Sequence, residues 1–436
     1  MKLAVVVQRY GADINGGAEL HARYIAERMA THADVEVVTT CARDYVTWKN
    51  ERAAGVDTIN GIQVRRFPVA RERDPKDFGR KSHQVFNETH SMADELAWLD
   101  SEGPTSPALV DYVASPAAGF DVVLLFSLRY YHAWHVTRRI GSRAVLVPTA
   151  ERDPAVALSI FGPILRGAGG IMYNSFEERA MLQAASGNQA VPGVVVGVGS
   201  DVPARTDPDR FRRRYKISRP FAIYIGRIDA NKGCAELFRF FERYSATFPR
   251  GLDLVLVGNA MMPVPKHHRI HHLGFLSDED KFDALAASDV LIMPSFFESL
   301  SMVALEAWAL GKPVLANGRC DVLKGQCIRS NAGLYYDSYE EFAETLYALE
   351  SKGPLHARLG RNGREYFNRH YAWPVIEKKY LDMFARLANQ PHRPLAPLPG
   401  WMARRRRDLP AAAQVLAAIP AGAVLPEAAV ARDRTA

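Results

Sequence analysis

Glu298 and Glu306 stand eight residues apart in the stretch Ser295–Asn317, and two carboxylates at that spacing could hold the two ends of one elongated polar ligand. Upstream, Asp289–Pro294 is an apolar run with an aspartate at its head, the length and composition of a buried strand. Downstream, Leu300–Leu310 has helical spacing, stops at Gly311 and is followed by Pro313, so the unit reads strand, turn, helix, strand. Glu298 then falls at the helix mouth, where unpaired N–H groups attract anions. At about 1.5 Å of rise per residue the glutamates lie on the order of 12 Å apart, close to the reach of a sugar, a diphosphate and a ribose in series. The spacing alone equally fits a capping Glu298 and a surface Glu306. Met302, Leu305, Trp308 and Leu310 surround Glu306, however, and a carboxylate in that company needs a hydrogen-bonding partner.

Two further stretches carry chemistry. Phe221–Arg227 reads as a strand ending in Gly226-Arg227, and Lys232-Gly233 precedes an amphipathic helix. A guanidinium fork and an ammonium at a strand's carboxyl end are suited to a diphosphate, although two surface cations would give the same pattern. Residues 1–8 read as a strand, and the loop from Tyr10 to Gly16-Gly17 opens a helix, a place where backbone can approach a phosphate or simply turn.

The stretch Glu298-Ser-Leu-Ser-Met-Val-Ala-Leu-Glu306, followed by Ala307, Gly311, Pro313 and Val314, resembles the Glu-x7-Glu signature of the family 4 retaining glycosyltransferases, the group 1 type of GT-B fold. Gly226-Arg227 with Lys232-Gly233, sixty-six residues before Glu298, and Gly16-Gly17-Ala18-Glu19 resemble the family's cation pair and glycine loop. The resemblance spans roughly residues 1–388. It implies two Rossmann-like, doubly wound α/β domains facing across a cleft: an acceptor-side domain 1–199, a nucleotide-sugar-binding domain 200–372, and a helix 373–388 crossing back to the first domain. It also implies that Arg227, Lys232 and Glu298 are the catalytic residues. Gly16, Gly17, Leu276, Ser299, Leu300, Ser301 and Glu306 would bind the donor, Glu306 through its ribose and Leu276 within a segment whose main chain reads the base. Many relatives carry a histidine near Glu151; here Glu151 and, one strand earlier, His132 are the candidates for sugar or acceptor contact. The expected reaction is metal-independent transfer of a sugar, with retention, from a nucleotide-sugar donor to a hydroxyl of a sugar or lipid-linked acceptor, in polysaccharide or glycolipid synthesis. No cofactor is expected, the nucleotide-sugar being a substrate. A non-catalytic nucleotide-sugar-binding protein and a nucleotide-sugar 2-epimerase are the alternatives.

The remaining composition bounds these readings. The 436 residues suffice for two or three domains, and strands alternate with helices as in parallel, doubly wound sheets. The net charge is +7, of which the stretch after Gln390, with seven arginines against three acidic residues, supplies more than half. The folded part is thus only mildly basic, which argues against a nucleic-acid partner. Four cysteines at 41, 234, 320 and 327 have neither metal spacing nor the number for a disulfide framework. Asp207-Pro-Asp209 and the histidines 267, 268, 271 and 272 are poor metal motifs, one containing Pro and the other set along a strand edge. The amino-terminal apolar run is too short for a signal peptide, so the expected site is the cytoplasm, with the inner membrane face reached through basic segments: residues 65–81, seven basic against three acidic, and Arg404–Arg407. The Pro-, Ala- and Arg-rich tail 389–436 is expected to lack order.

Overall fold

The computed structural model of the chain describes residues 1–14, 16–350, 353–395 and 412–419. Residues 1–396 form one unit and 397–436 a second. In the first unit two sheets are each sandwiched between helices. The first sheet comprises β1 (Lys2–Val6), β2 (Asp34–Thr40), β3 (Gly55–Ile59), β4 (Ile62–Phe67), β5 (Val122–Phe126), β6 (Ala144–Val147), β7 (Gly170–Tyr173) and β8 (Gly193–Val195), in the order β3-β4-β2-β1-β5-β6-β7-β8. All pairs are parallel except β3–β4. The second contains β9 (Phe221–Ile225), β10 (Asp253–Val257), β11 (Ile270–His272), β12 (Val290–Met293), β13 (Val314–Asn317) and β14 (Gly333–Tyr336), in the order β11-β10-β9-β12-β13-β14.

The central strands are continuous apolar runs because helices cover both faces of each sheet: β5, β6, β9, β10 and β12 are buried at every position. The antiparallel β3 was not anticipated from the sequence. Its hairpin with β4 turns at Asn60-Gly61, both left-handed (φ 51° and 80°), and Asn-Gly is the pair such a turn favours.

Chain order reverses at two places, between β1 and β5 in the first sheet and between β9 and β12 in the second. Strand ends at such points splay apart and leave a crevice. The loops after β1, β5, β9 and β12 contribute to the cavities described below, so topology alone selects the segments 7–14, 127–130, 226–233 and 294–301 as the site walls.

The helix Trp373–Ala388 returns to the first sheet. Met383 packs on Gly170 so closely that a Cβ there would lie 2.6 Å from its sulfur, and Trp373 meets Tyr24 edge-on at 5.9 Å while its Nε1 donates to Asp201 (2.7 Å). Residues 389–395, assigned to the tail by composition, continue onto this half: Arg393 N donates to Ser142 Oγ (2.7 Å) and Ser142 N to Arg393 O (3.0 Å). These two hydrogen bonds, one to the Ser142 hydroxyl and one between backbones, and the packing of Leu395 over Gly167 supply the contacts that composition could not reveal. In the second unit, Ala412–Ala417 is a short helix, where no order was expected; its alanines and leucine are strong helix formers. Arg404–Arg407 lie outside the described residues.

The basic stretch 65–81 is not a free cationic stripe. Arg65 pairs with Glu36 (2.6 Å), Arg73 with Glu102 (3.0 Å), and Arg80 and Lys81 with Asp77 (2.5 and 2.7 Å); Arg66 is buried and donates to Tyr10 O (3.1 Å). Buried Glu36 and Glu102 hold Arg65 and Arg73, whereas Arg71, Lys76 and Arg80 remain at the surface. No helix among the described residues is long and apolar enough to cross a membrane.

Candidate active site between the two halves

The loop after β12 runs through Ser295–Leu300 into the helix Met302–Ala309. Ser301 caps it in a left-handed conformation (φ 77°), with Oγ accepting from Ala304 N (3.4 Å). Glu298 stands just before that mouth and takes Lys232 Nζ at 2.7 Å, across from the loop after β9. Burial opposes the charge on Lys232, but the charge of Glu298 and its hydrogen bond outweigh it and hold the lysine pKa above the ordinary value. Gly233 makes the approach of the two loops possible: its φ is 72°, and a Cβ would collide with Pro294 O. Arg227 leans on Asp229, whose hydrogen bond raises the guanidinium pKa further.

Facing these loops, the helix Gly17–Met29 begins at Gly16 without a side-chain cap, leaving first-turn N–H groups open. A Cβ added at Gly16 would run into Glu19, whereas one at Gly17 would meet nothing within 4 Å. Gly17 therefore borders space rather than protein. Gly17, Lys232, Glu298, Ser299, Leu300 and Ser301 all line one cavity of about 380 Å³.

Glu306 is 5 % exposed and accepts from Ser200 Oγ (3.0 Å) and Lys281 Nζ (3.1 Å) through one oxygen; the other is buried with no partner. The partner the sequence demanded is thus present, supplied by two residues that no local pattern marks. Glu306 does not line the 380 Å³ cavity, although Met302 and Val303 of its helix do. Leu276 is packed in the core at 8 % exposure and does not line the 380 Å³ cavity.

Glu151 lines the 380 Å³ cavity, a second of about 310 Å³ over the first sheet, and a third of about 470 Å³ bordered by Phe296 and Phe297. Its carboxyl is pushed above the ordinary range by burial, partly offset by Lys232 and reinforced by Glu298. The loop bearing it is tied down from beneath by Glu178, which accepts from Ala150 N (2.6 Å) and Asn174 N (2.5 Å); burial lifts its pKa to about 8.

His132 does not reach the cleft. It is 1 % exposed in the helix Tyr131–Ile140, its Nε2 meets Phe126 O at 2.8 Å, and burial lowers its pKa to about 4. Position after β5 suggested a site residue, but the ring turns into the core. The imidazole that borders the 380 Å³ cavity is His21, one turn into the glycine-loop helix, buried with Nε2 unpartnered and its pKa lowered to about 3 by burial. A lone histidine on an apolar helix face gives no sequence signal of this.

Asp207 is a helix cap, accepting from Arg210 N at 2.8 Å. His267, His271 and His272 bond to Ser245, Asp253 and Gly258 O respectively. Among the described residues no group of three or more His, Cys, Asp or Glu is disposed to hold a metal ion.

Residues 207–366 match the family model Glycosyl transferases group 1. The chain is 25 % identical over 203 residues to alpha-maltose-1-phosphate synthase of Mycobacterium tuberculosis, covering 42 % of this chain and 52 % of that one, so it spans about half the length of this relative. It is 23 % identical over 417 residues to D-inositol 3-phosphate glycosyltransferase of Corynebacterium urealyticum, covering 88 % and 94 %. Among solved structures, sucrose-phosphate synthase from Thermosynechococcus elongatus superposes with a TM-score of 0.66 at 17 % identity, over 88 % of this chain and 98 % of that one. Anabaena HepE in complex with UDP-glucose superposes at 0.63 and 18 %, over 88 % and 99 %. The fold is GT-B, and residues 207–366 are similar to the Glycosyl transferases group 1 family.

Proposed function

We propose that the chain is a retaining, metal-independent glycosyltransferase that moves a sugar from a nucleotide-sugar to an acceptor hydroxyl, in polysaccharide or glycolipid synthesis. Residues 1–199 form the acceptor side and 200–372 the donor side. The observation that carries this reading is the convergence of Lys232, Glu298, the Ser299–Ser301 turn and the uncapped Gly17 helix on one cavity. The diphosphate lies between the two helix mouths, where N–H groups and the cations Lys232 and Arg227 meet charge that grows as the glycosidic bond breaks. Lys232 then exchanges Glu298 for phosphate oxygen, which frees Glu298 to accept from sugar hydroxyls. Glu306, with one oxygen still unpartnered, takes the ribose hydroxyls, and the backbone of residues 274–276 faces the base. The departing phosphate receives the acceptor's proton on the face from which it left.

The binding of UDP-glucose by HepE makes uridine nucleotide-sugars the first donors to test. The experiment is incubation of the full chain with UDP-, GDP-, ADP- and dTDP-sugars and an acceptor panel, following nucleotide release and the anomeric configuration of the product by proton NMR. Transfer with retention is expected; an inverted anomer, or donor epimerisation without acceptor, refutes the proposal. Binding without turnover would favour the non-catalytic alternative, which Glu151 motivates.

A further inference from the structure

We propose that the 310 Å³ cavity over the first sheet takes a neutral, polyhydroxylated acceptor, a sugar or cyclitol that carries no phosphate. The inference rests on the transferase reading above and names the acceptor class. The cavity lies at the reversal between β1 and β5, opens to Glu151, and so adjoins the place where the donor sugar would sit.

Charge is the first argument. Three guanidinium groups line the cavity, and each is already held. Arg9 places Nε and Nη2 on Glu19 Oε1 (2.8 and 2.5 Å) and Nη1 on Arg43 O (2.8 Å). Arg129 lies with Nε 2.7 Å from Glu102 Oε1 and Nη1 on Asp153, and Arg227 bonds Asp229. Against these three cations the same wall sets Glu19, Glu151 and Asp153, so its formal charges cancel. A phosphate dianion entering here would meet guanidinium groups whose charge neighbouring carboxylates already offset, and it would sit beside Glu151 and Asp153, which repel it. If Arg227 turns to the donor diphosphate, the remaining wall is net negative.

Polarity is the second and independent argument. Gln8 is 2 % exposed, lines the cavity, and its side-chain oxygen has no partner. The oxygen itself is covered, just behind the cavity wall, and a small turn of the amide would bring an unpaired polar group to a ligand there. A hydroxyl answers it whichever way the amide is turned, and hydroxyls also donate to Glu151 and Asp153, which a phosphate cannot do. Tyr45 and Tyr130 add apolar ring faces suited to the C–H faces of a pyranose or cyclitol.

The test uses the full chain, the nucleotide-sugar that most raises its melting temperature, and acceptors in matched pairs: glucose and glucose 6-phosphate, mannose and mannose 6-phosphate, fructose and fructose 6-phosphate, myo-inositol and inositol 3-phosphate. Nucleoside diphosphate release gives kcat/KM. The neutral member of at least one pair is expected to be used about tenfold or more better than its phosphate, and no pair should reverse. Gln8→Leu should raise the acceptor KM about tenfold and leave the donor-induced thermal shift unchanged. Glu19→Gln, by releasing Arg9, should narrow the gap within each pair. Preference for the phosphorylated member of any pair overturns the inference, as does turnover of neither member of every pair while the donor shift persists. Absence of any donor shift removes the transferase reading itself, and this inference with it.

Discussion

Glu178 should make the stability of the first half fall as pH rises. It is 1 % exposed, and both its oxygens are spent on backbone N–H groups, Ala150 N at 2.6 Å and Asn174 N at 2.5 Å. Burial raises its pKa from 4.5 to about 8, although those two bonds pull the other way. A folded-state pKa above the unfolded one means that the native chain binds more protons than the unfolded chain between those values. Stability from this group is therefore complete below about pH 4.5 and is lost progressively as pH climbs through about 8. At about 1.4 kcal/mol per unit, the loss between about pH 5.5 and pH 8.5 is on the order of 3 kcal/mol. Glu178→Gln cannot titrate. It keeps one acceptor oxygen, sets an NH2 against the other backbone N–H, and should cost about 1–3 kcal/mol at low pH. Urea unfolding of both proteins across that range should show the parent ahead at acid pH and its advantage shrinking, or reversing, toward pH 8.5. A gap that stays constant, or widens with pH, would refute the reasoning, because it would mean that Glu178 titrates at or below its ordinary value.

Other outcomes follow from the same geometry. Gly17→Ala should fold with an unchanged melting temperature, since its Cβ meets nothing within 4 Å, yet raise the donor KM about tenfold by entering the cavity. Gly233→Ala, at φ 72° and against Pro294 O, should lower stability by about 2 kcal/mol or more, read as a drop in melting temperature. His132→Leu should destabilise by about 1–3 kcal/mol through the abandoned Phe126 carbonyl while kcat, measured well below the melting temperature, stays that of the parent.

Much of this architecture could be read from the chain because its signals are local. The apolar runs at 221–225 and 290–293 mark buried strands, and Gly311 and Pro313 mark the end of the helix between Glu298 and β13. The resemblance assigned Lys232 and Glu298 to one donor without predicting that they touch, and the strand order makes their ion pair geometrically natural, since the loops after β9 and β12 flank one reversal. What stayed hidden depends on distant partners. Nothing near Glu306 announces Ser200 or Lys281, 106 and 25 residues away. Glu178 reads as an ordinary residue of a Ser175-capped first turn, and only folding brings Ala150 N to it. His132 misled because sequence places a residue after a strand but does not say which way its ring turns. The β3 hairpin, by contrast, carried a usable local signal in Asn60-Gly61.

The central claim is that Lys232 and Glu306 grip two parts of one nucleotide-sugar. Calorimetric titration of a nucleotide-sugar that binds the parent, and of its free nucleoside diphosphate, into Lys232→Met and Glu306→Gln tests it most directly. Lys232→Met should weaken both ligands by about 10- to 100-fold through loss of a charge-assisted phosphate contact. Glu306→Gln should weaken both by about tenfold, since both carry the ribose. Parent-like affinity in either variant would contradict the account.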